Sequence, residues 1–256
     1  PGMTLPTPDS DIHAEADLDF NIADALKPGR MRLRLFAQIG KQDLMHFMGG
    51  LPQSFIRHYP NHPISIKGSV NGNMRKMDFT GLDISLPTAL HLHANGTAEH
   101  LTDMSRMKAD ISFRGQTQDL NFLTALIDDR QKGEFRIPSG ITLDGRLKAD
   151  GTRYDADLNA RKGEGIVKAK IGAVVPQDAK GNLNTEAMTY DADISIDNLN
   201  LHHFLPKDSL YTLSADIHAN GYGTDILNSR CQMKADATVN RLKYGQWNLD
   251  GMKAIS

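Results

Sequence analysis

The chain has 256 residues, of which 39% are hydrophobic, 23% charged and 6% aromatic, and its formal net charge is −2 at pH 7. This near balance of charge argues against nucleic-acid binding and against polybasic docking on membranes, since both need a cationic surface. The single cysteine, Cys231, excludes an intrachain disulfide. No apolar run approaches the roughly 18 residues that a membrane-spanning helix needs.

The first two predicted strands alternate strictly between apolar and polar residues, which is typical of half-buried β-strands. From residue 13 to residue 21 the apolar side chains alternate with His, Glu, Asp and Asn. From residue 30 to residue 35 they alternate with three arginines. Antiparallel pairing of the two runs would set an acidic row beside a basic row, a favourable cross-strand arrangement. We therefore predict an antiparallel pair here.

The same alternation continues along the rest of the chain and predicts a mostly β fold with antiparallel strands. Asp150-Gly151 separates two of the runs and predicts a tight hairpin, because Asp-Gly favours the positive φ of such turns. The further runs lie near residues 64–70, 77–86, 90–96, 107–113, 141–149, 154–160, 167–171, 188–196, 213–219 and 233–239.

Three strand-like runs end in Asp43, Asp119 and Asn198, and each is followed by a short apolar stretch with helical spacing. Each of these residues is a good N-cap, because its side chain accepts hydrogen bonds from the free N–H groups of a first helical turn. Their positions, 43, 119 and 198, are 76 and 79 residues apart. Such near-constant spacing indicates an array of repeats. We also expect one helical turn at residues 54–58.

We predict that the whole chain is one continuous array of these repeats. The predicted segments are 1–43 (the end of a β-repeat), 44–119 and 120–198 (each a β-repeat led by a short helix) and 199–256 (the start of a further β-repeat). The chain begins at Pro1 without an initiator Met and stops inside a strand-like pattern. We therefore expect it to be a piece of a longer protein.

A second repeated sequence is Leu-His-Ala-Asn-Gly at residues 92–96, which resembles Ile-His-Ala-Asn-Gly at residues 217–221. His91 and His93 are two residues apart in a strand, so both would point to the polar face and could bind a metal. The pattern supplies no third ligand, so solvent-facing histidines without a metal are the preferred interpretation.

The apolar face is rich in Ala and Gly, whereas a closed core between two layers is normally filled by larger interdigitating side chains. We therefore expect an open trough, although the glycines could instead permit bulges and curvature. A large exposed apolar face usually marks a binding surface. The candidate groove residues are Leu18, Phe20, Leu33, Leu35, Ile66, Leu92, Ile111, Phe113, Leu143, Leu147, Leu158, Ile171, Ile194, Leu213, Ile217 and Met233.

The strand pattern, the Asp/Asn-Leu helical breaks and the segments LHANGT (92–97) and IHANGYGTD (217–225) together resemble the AsmA/TamB-like proteins of double-membrane bacteria. This resemblance implies an elongated, curved antiparallel sheet that forms an open apolar groove, called a β-taco. It also implies a periplasmic location, within a parent protein anchored in the inner membrane. The implied partners are phospholipid acyl chains and, through other parts of the parent, an Omp85-family outer-membrane barrel.

The sequence holds no P-loop and no His-Glu-x-x-His, Gly-x-Ser-x-Gly or Cys-x-x-Cys motif. We therefore expect a non-enzymatic protein without catalytic residues, metal or cofactor. Our first hypothesis is a segment of a lipid conduit between the inner and outer membranes. One alternative is a periplasmic scaffold for outer-membrane protein assembly, which would pair its sheet edge with unfolded strands. Another is a structural or adhesin-like β-array with a filled core.

Overall fold

β-strands make up most of the computed structural model, which describes residues 2–6, 9–21, 28–48, 53–73, 75–100, 103, 106–126, 135–178, 184, 187–223 and 232–255. The predicted mostly β, antiparallel fold class is confirmed. The strands among the described residues are β1 (Gly2–Pro6), β2 (Asp11–Leu18), β3 (Met31–Ile39), β4 (Ile64–Gly72), β5 (Lys76–Leu86), β6 (Leu90–Glu99), β7 (Lys108–Thr117), β8 (Thr142–Asp150), β9 (Arg153–Lys162), β10 (Gly165–Val174), β11 (Thr189–Asn200), β12 (Leu210–Tyr222), β13 (Gln232–Tyr244) and β14 (Trp247–Ile255).

The chain divides into two compact units. The first unit comprises residues 1–98 and 112–142, and the second comprises residues 99–111 and 143–256. Within each unit the order of the strands in the sheet is their order in the chain. This meander needs only short connections between antiparallel neighbours, which matches the short loops between most of the alternating runs.

The pairing of β2 with β3 is antiparallel, as predicted from the charged rows. Glu15 lies opposite Arg34 and Asp17 lies opposite Arg32, while Ala14 lies opposite Leu35 on the other face. The carboxylate of Glu15 is 3.7 Å from the guanidinium of Arg34. Both side chains are exposed, so the pair favours this register while adding little stability.

The predicted hairpin at Asp150-Gly151 is also confirmed. β8 ends at Asp150 and β9 begins at Arg153, and the two strands are neighbours in the sheet. Gly151 has a φ of +60°, a left-handed conformation that a glycine adopts without steric cost.

Short helices interrupt the sheet at regular intervals. In the described part of the chain they include α1 (Lys41–Met48), α2 (Gln53–His58) and the 3₁₀ helices Asn121–Leu126 and Leu201–His203. The helical turn expected at 54–58 is thus confirmed as α2. The breaks begin at residues 41, 121 and 201, so 80 residues separate each from the next. The strands β4–β7 follow the first break and β8–β11 follow the second. The limits of the repeats at 44–119 and 120–198 stay a prediction.

The first two predicted N-caps have different outcomes. Asp119 caps the first 3₁₀ helix, since its carboxylate accepts a hydrogen bond from the Asn121 N–H at 2.9 Å. The N-cap predicted at Asp43 is wrong, because α1 begins two residues earlier in the chain. A carboxylate from outside the helix caps α1 instead: Asp9 Oδ2 accepts from the Gln42 N–H at 2.6 Å.

The N-cap predicted at Asn198 is wrong as well. Asn198 has a left-handed φ of +50°, and the pairing of β11 with β12 shifts between Ile196 and Leu199. Asn tolerates this conformation better than most residues, so it suits a β-bulge. The cap of the second 3₁₀ helix is Asn200, whose side chain accepts from the His202 N–H at 3.1 Å.

The helices of the first unit form a small closed core at the ends of strands β4, β5 and β6. Its buried residues are Phe55, Tyr59, Leu86, Ala89 and Ala125, with Leu44, Met45, Ile64, Leu90, Leu120, Phe122 and Leu123 packed around them. The rings of Phe55, Tyr59 and Phe122 lie tilted or edge-on, with centroids 5.3 to 5.8 Å apart. Burial also raises the pKa of the Tyr59 hydroxyl. In this cluster, hydrophobic side chains of the helices pack against those at the ends of β4, β5 and β6.

We expect Phe55→Ala to lower the free energy of unfolding by about 3–5 kcal/mol, because it removes a buried ring from the centre of this core. Phe20→Ala is the matched control, since Phe20 is fully exposed in the turn after β2. The control should change stability by less than about 0.5 kcal/mol. Urea denaturation measures both variants, and equal effects would contradict the assignment of the core.

Candidate functional site

The strands of the second unit align their apolar side chains in rows across the sheet. Antiparallel pairing places Leu158 opposite Ala169, Ala169 opposite Ile194, and Ile194 opposite Ile217. Ala237 on β13 continues the row beyond Ile217. Paired residues point to the same face, so the period-two pattern of each strand becomes one apolar face shared by five strands.

The next row of the same face consists mostly of alanine. Its members, in sheet order from β9 to β13, are Ala156, Ile171, Ala192, Ala219 and Ala235. Tyr154 and Tyr190, which both pair with Ala173, stand in the row on its other side. The row is low across β11–β13, where Ala192, Ala219 and Ala235 are adjacent, because a methyl group projects less than an Ile or Tyr side chain. On β10 it is interrupted by Ile171, which stands between Ala169 and Ala173.

This apolar face is not sealed. Among the described hydrophobic residues of the second unit, only Val175 and Ala215 are buried. The central residues Leu158, Ile194 and Ile217 are only partly buried. A second packed layer would bury such side chains, since interiors are packed densely. The face therefore keeps apolar area in contact with solvent.

The first unit has a more covered apolar face. Val70, Ala14 and Ala37 are buried there, and Leu33 and Leu35 are partly buried. The first unit also contains the small closed core of the helices, which the second unit lacks among its described residues. The open face is thus clearest in the second unit.

Two glycines of the first unit permit close approach of strands instead of leaving room in a trough. A Cβ added to Gly68 would lie 2.4 Å from a methyl carbon of Leu82, where the pairing of β4 with β5 shifts register. A Cβ added to Gly115 would lie 2.4 Å from a methyl carbon of Leu92. At Gly68 the bulge explanation of glycine is the right one, and at Gly115 the glycine permits the close approach of β7 to β6.

The candidate groove residues fall into three groups by their place in the structure. Leu18, at the end of β2, and Leu147, on β8, are 44% and 43% exposed, and Phe20 lies beyond β2 in a fully exposed turn. Met233 lies on β13, and its side chain is outside the described part of the structure, as is the whole of Cys231. The others are partly buried strand residues: Leu33, Leu35, Ile66, Leu92, Ile111, Phe113, Leu143, Leu158, Ile171, Ile194, Leu213 and Ile217.

The alternating runs did not assign the end of β13 or the bounds of β14, although the end of the chain has a strand-like pattern. The pairing of β12 with β13 shifts between Ser214 and Ala215, so the apolar parity changes after Val239 and the alternation is lost. Tyr244 and Trp247 then pair across the next hairpin and are 51% and 73% exposed. The aromatic residues around the turn at 245–246 were the signal that could have identified this hairpin.

The opposite face carries the charged side chains in exposed pairs. The guanidinium of Arg146 on β8 donates to both carboxylate oxygens of Asp110 on β7, and this hydrogen bonding lowers the pKa of Asp110. Likewise, a hydrogen bond with His93 lowers the pKa of Asp83. Among the described residues, no group of three or more His, Cys, Asp or Glu is arranged to hold a metal ion, and His91 and His93 both lie beside Asp83 on this polar face.

No helix in the described part of the chain is long and apolar enough to cross a membrane. Comparisons with protein-family models, with curated proteins and with solved structures found no match to this chain. The geometry of the two faces therefore carries the functional argument.

We expect the folded chain to bind a solvatochromic hydrophobic dye through the open face of the second unit. Ile194→Asp should weaken dye binding, because it puts a carboxylate at the centre of that face. Ser195→Asp is the matched control, since Ser195 is the neighbouring residue on the exposed polar face. Ile194→Ala should cost only about 1 kcal/mol of stability, because Ile194 is partly buried.

Dye fluorescence under native conditions, with circular dichroism to verify folding, measures these effects. Dye binding that is equal in the two aspartate variants would show that the dye binds elsewhere.

Proposed function

We propose that this chain is a segment of a periplasmic lipid conduit of the AsmA/TamB type, whose apolar face binds phospholipid acyl chains. The observation that carries the proposal is the partly exposed apolar face of the second unit, built from aligned rows on β9–β13. Acyl chains need apolar area and no specific hydrogen-bond partner, and this face offers that chemistry.

The size of the face suits this ligand class. Five strands at about 4.8 Å spacing span about 19 Å, and four alternate positions along a strand span about 20 Å. The resulting area of about 400 Å² lies in the range of exposed apolar patches that are often functional, about 300–600 Å². Each methylene removed from water contributes about 0.8 kcal/mol. Many weak contacts of this kind would hold an acyl chain collectively.

The three adjacent alanines of this row offer a short low path across β11–β13. An acyl chain laid along it would contact Ile194 and Ile217 on one side and Tyr190 on the other. Such contacts are non-directional, so they can hold a chain without fixing it at one position. This combination is what a conduit needs, since the lipid must bind and also move on.

The wider setting is part of the same proposal. We place the chain in the periplasm, within a parent protein that is anchored in the inner membrane and delivers phospholipid towards the outer membrane. An Omp85-family barrel is the proposed partner of other parts of that parent. The role is non-enzymatic, and the protein acts by binding and shielding acyl chains.

Lipid analysis of the purified chain tests the proposal directly. Mass spectrometry of an organic extract should recover phospholipid in a molar amount close to that of the protein. The double variant Ala192→Asp/Ala219→Asp should bind a fluorescent fatty-acid analogue at least about tenfold more weakly, because two carboxylates on the alanine row cost more than about 1.4 kcal/mol. Ala192 and Ala219 are cross-strand partners, so one local change carries both charges.

Ala192→Val/Ala219→Val is the matched control, because it changes the same positions, keeps them apolar and suits strands. It should retain binding. A chain that carries no lipid, binds no fatty-acid analogue and instead captures strand-forming peptides would replace the conduit with the scaffold alternative. A chain that binds neither lipid nor strand-forming peptides would favour the structural β-array.

A further inference from the structure

The repeated sequence Leu/Ile-His-Ala-Asn-Gly produces the same contacts in both units. In the first unit His93 Nδ1 lies 3.0 Å from Asp83 Oδ1, and in the second His218 Nδ1 lies 2.8 Å from Asp193 Oδ1. In each case the asparagine two residues further on places its amide nitrogen near the other ring nitrogen, at 3.2 and 3.4 Å. The repeated sequence therefore forms the same His–Asp–Asn arrangement on the polar face of each unit.

A lysine completes the arrangement on the strand before the aspartate. Lys67 lies opposite Asp83, and Lys170 lies opposite Asp193. In the second unit Asp157 lies opposite Lys170 on the other side. Charges of opposite sign therefore alternate across neighbouring strands, which is a favourable cross-strand arrangement.

The two histidines differ in what faces them on the following strand. His218 on β12 lies directly opposite Asp193 on β11 and directly opposite Asp236 on β13. Asp191 on β11 is also close, with its Oδ2 3.6 Å from His218 Nε2. The other charged neighbours are Asp216 on the same strand and Lys234 on β13, opposite Asn220.

His93 has a different set of neighbours. Asp83 lies on β5, and His91 precedes it on β6. On β7, Gly115 lies against Leu92 of β6, and Arg114 is the exposed residue next to Gly115. Continued antiparallel pairing from that contact would set Arg114 opposite His93, where His218 has Asp236, so His93 would not lie between two acidic strands.

We propose that His218 is a pH-dependent brace of the second unit: its protonated ring pairs with Asp193 on β11 and attracts Asp236, which lies opposite it on β13. Protonation makes the imidazole a cation between two facing carboxylates and completes the alternating row Asp157, Lys170, Asp193, His218, Asp236. In that form Nε2 also donates, so the Asn220 amide turns to present its oxygen. All five residues line one groove of the polar face. Loss of the proton leaves the last two carboxylates of the row without a cation between them.

The hydrogen bond to Asp193 raises the pKa of His218 above its ordinary value, and the charges of Asp191 and Asp236 act in the same direction. A raised pKa in the folded state means that the brace is complete below the unfolded value of about 6.5 and is lost as the pH rises through the folded-state value. The second unit should therefore lose stability as the pH rises through neutrality.

An NMR titration of the histidine side chains in the full chain tests the proposal. The His218 resonance, assigned by its absence in His218→Asn, should have its midpoint above about 6.5. Asp236→Asn should move that midpoint downwards, because it removes one of the two facing carboxylates. A midpoint at or below about 6.5, or a midpoint that Asp236→Asn leaves unchanged, would overturn the proposal.

Thermal unfolding at about pH 5.5 and about pH 8.5 supplies the second readout. His218→Asn should reduce the difference between the two unfolding midpoints that the unmodified chain shows. His93→Asn makes the same substitution in the same local sequence and should retain that difference. Equal pH dependence of the unfolding midpoint in the unmodified chain and in His218→Asn would refute the brace. If His218→Asn does not fold, Asp236→Asn is measured in its place and should also reduce the pH dependence.

Discussion

Cross-strand register is the constraint on which both faces of this protein depend. In an antiparallel pair, opposed residues point to the same side of the sheet, and a slip of one residue would exchange the two faces. Leu158, Ile194 and Ile217 form one row because each strand keeps this phase. The same register places Lys170 beside Asp193 on the opposite side. Apolar rows and charged rows are thus two consequences of one pairing.

Bulges correct the phase where the alternation fails. The shift at Asn198 lets β11 continue past Asp197 while Leu199 still pairs with Leu213 on the apolar face. A similar shift between Ser214 and Ala215 keeps the end of β13 in phase with β12. These irregularities extend the apolar face along strands that are longer than a strict alternation allows. The bulges are therefore part of how the sheet is built.

The two units distribute their stability differently. The first unit has a closed aromatic core around Phe55 and Tyr59, where short helices pack against strand ends. The second unit has few buried hydrophobic residues among those described, so backbone hydrogen bonds and cross-strand pairs carry more of its stability. An open apolar face is compatible with folding here, because half-buried side chains still contact their neighbours in the rows. The cost of this arrangement is exposed apolar area, and the proposed lipid ligand would cover it.

The sequence alone determined the fold class, the pairing of β2 with β3, the hairpin at Gly151 and the approximate places of the helical breaks. These depend on alternation, turn chemistry and charge, which are local properties of the chain. The tertiary structure decided what depends on partners distant in the chain. Asp9 caps α1 from outside the helix, Asn198 forms a bulge instead of a cap, and Asp236 faces His218 from the next strand. Local pattern gives the face of each side chain, whereas only the register between strands gives its neighbours.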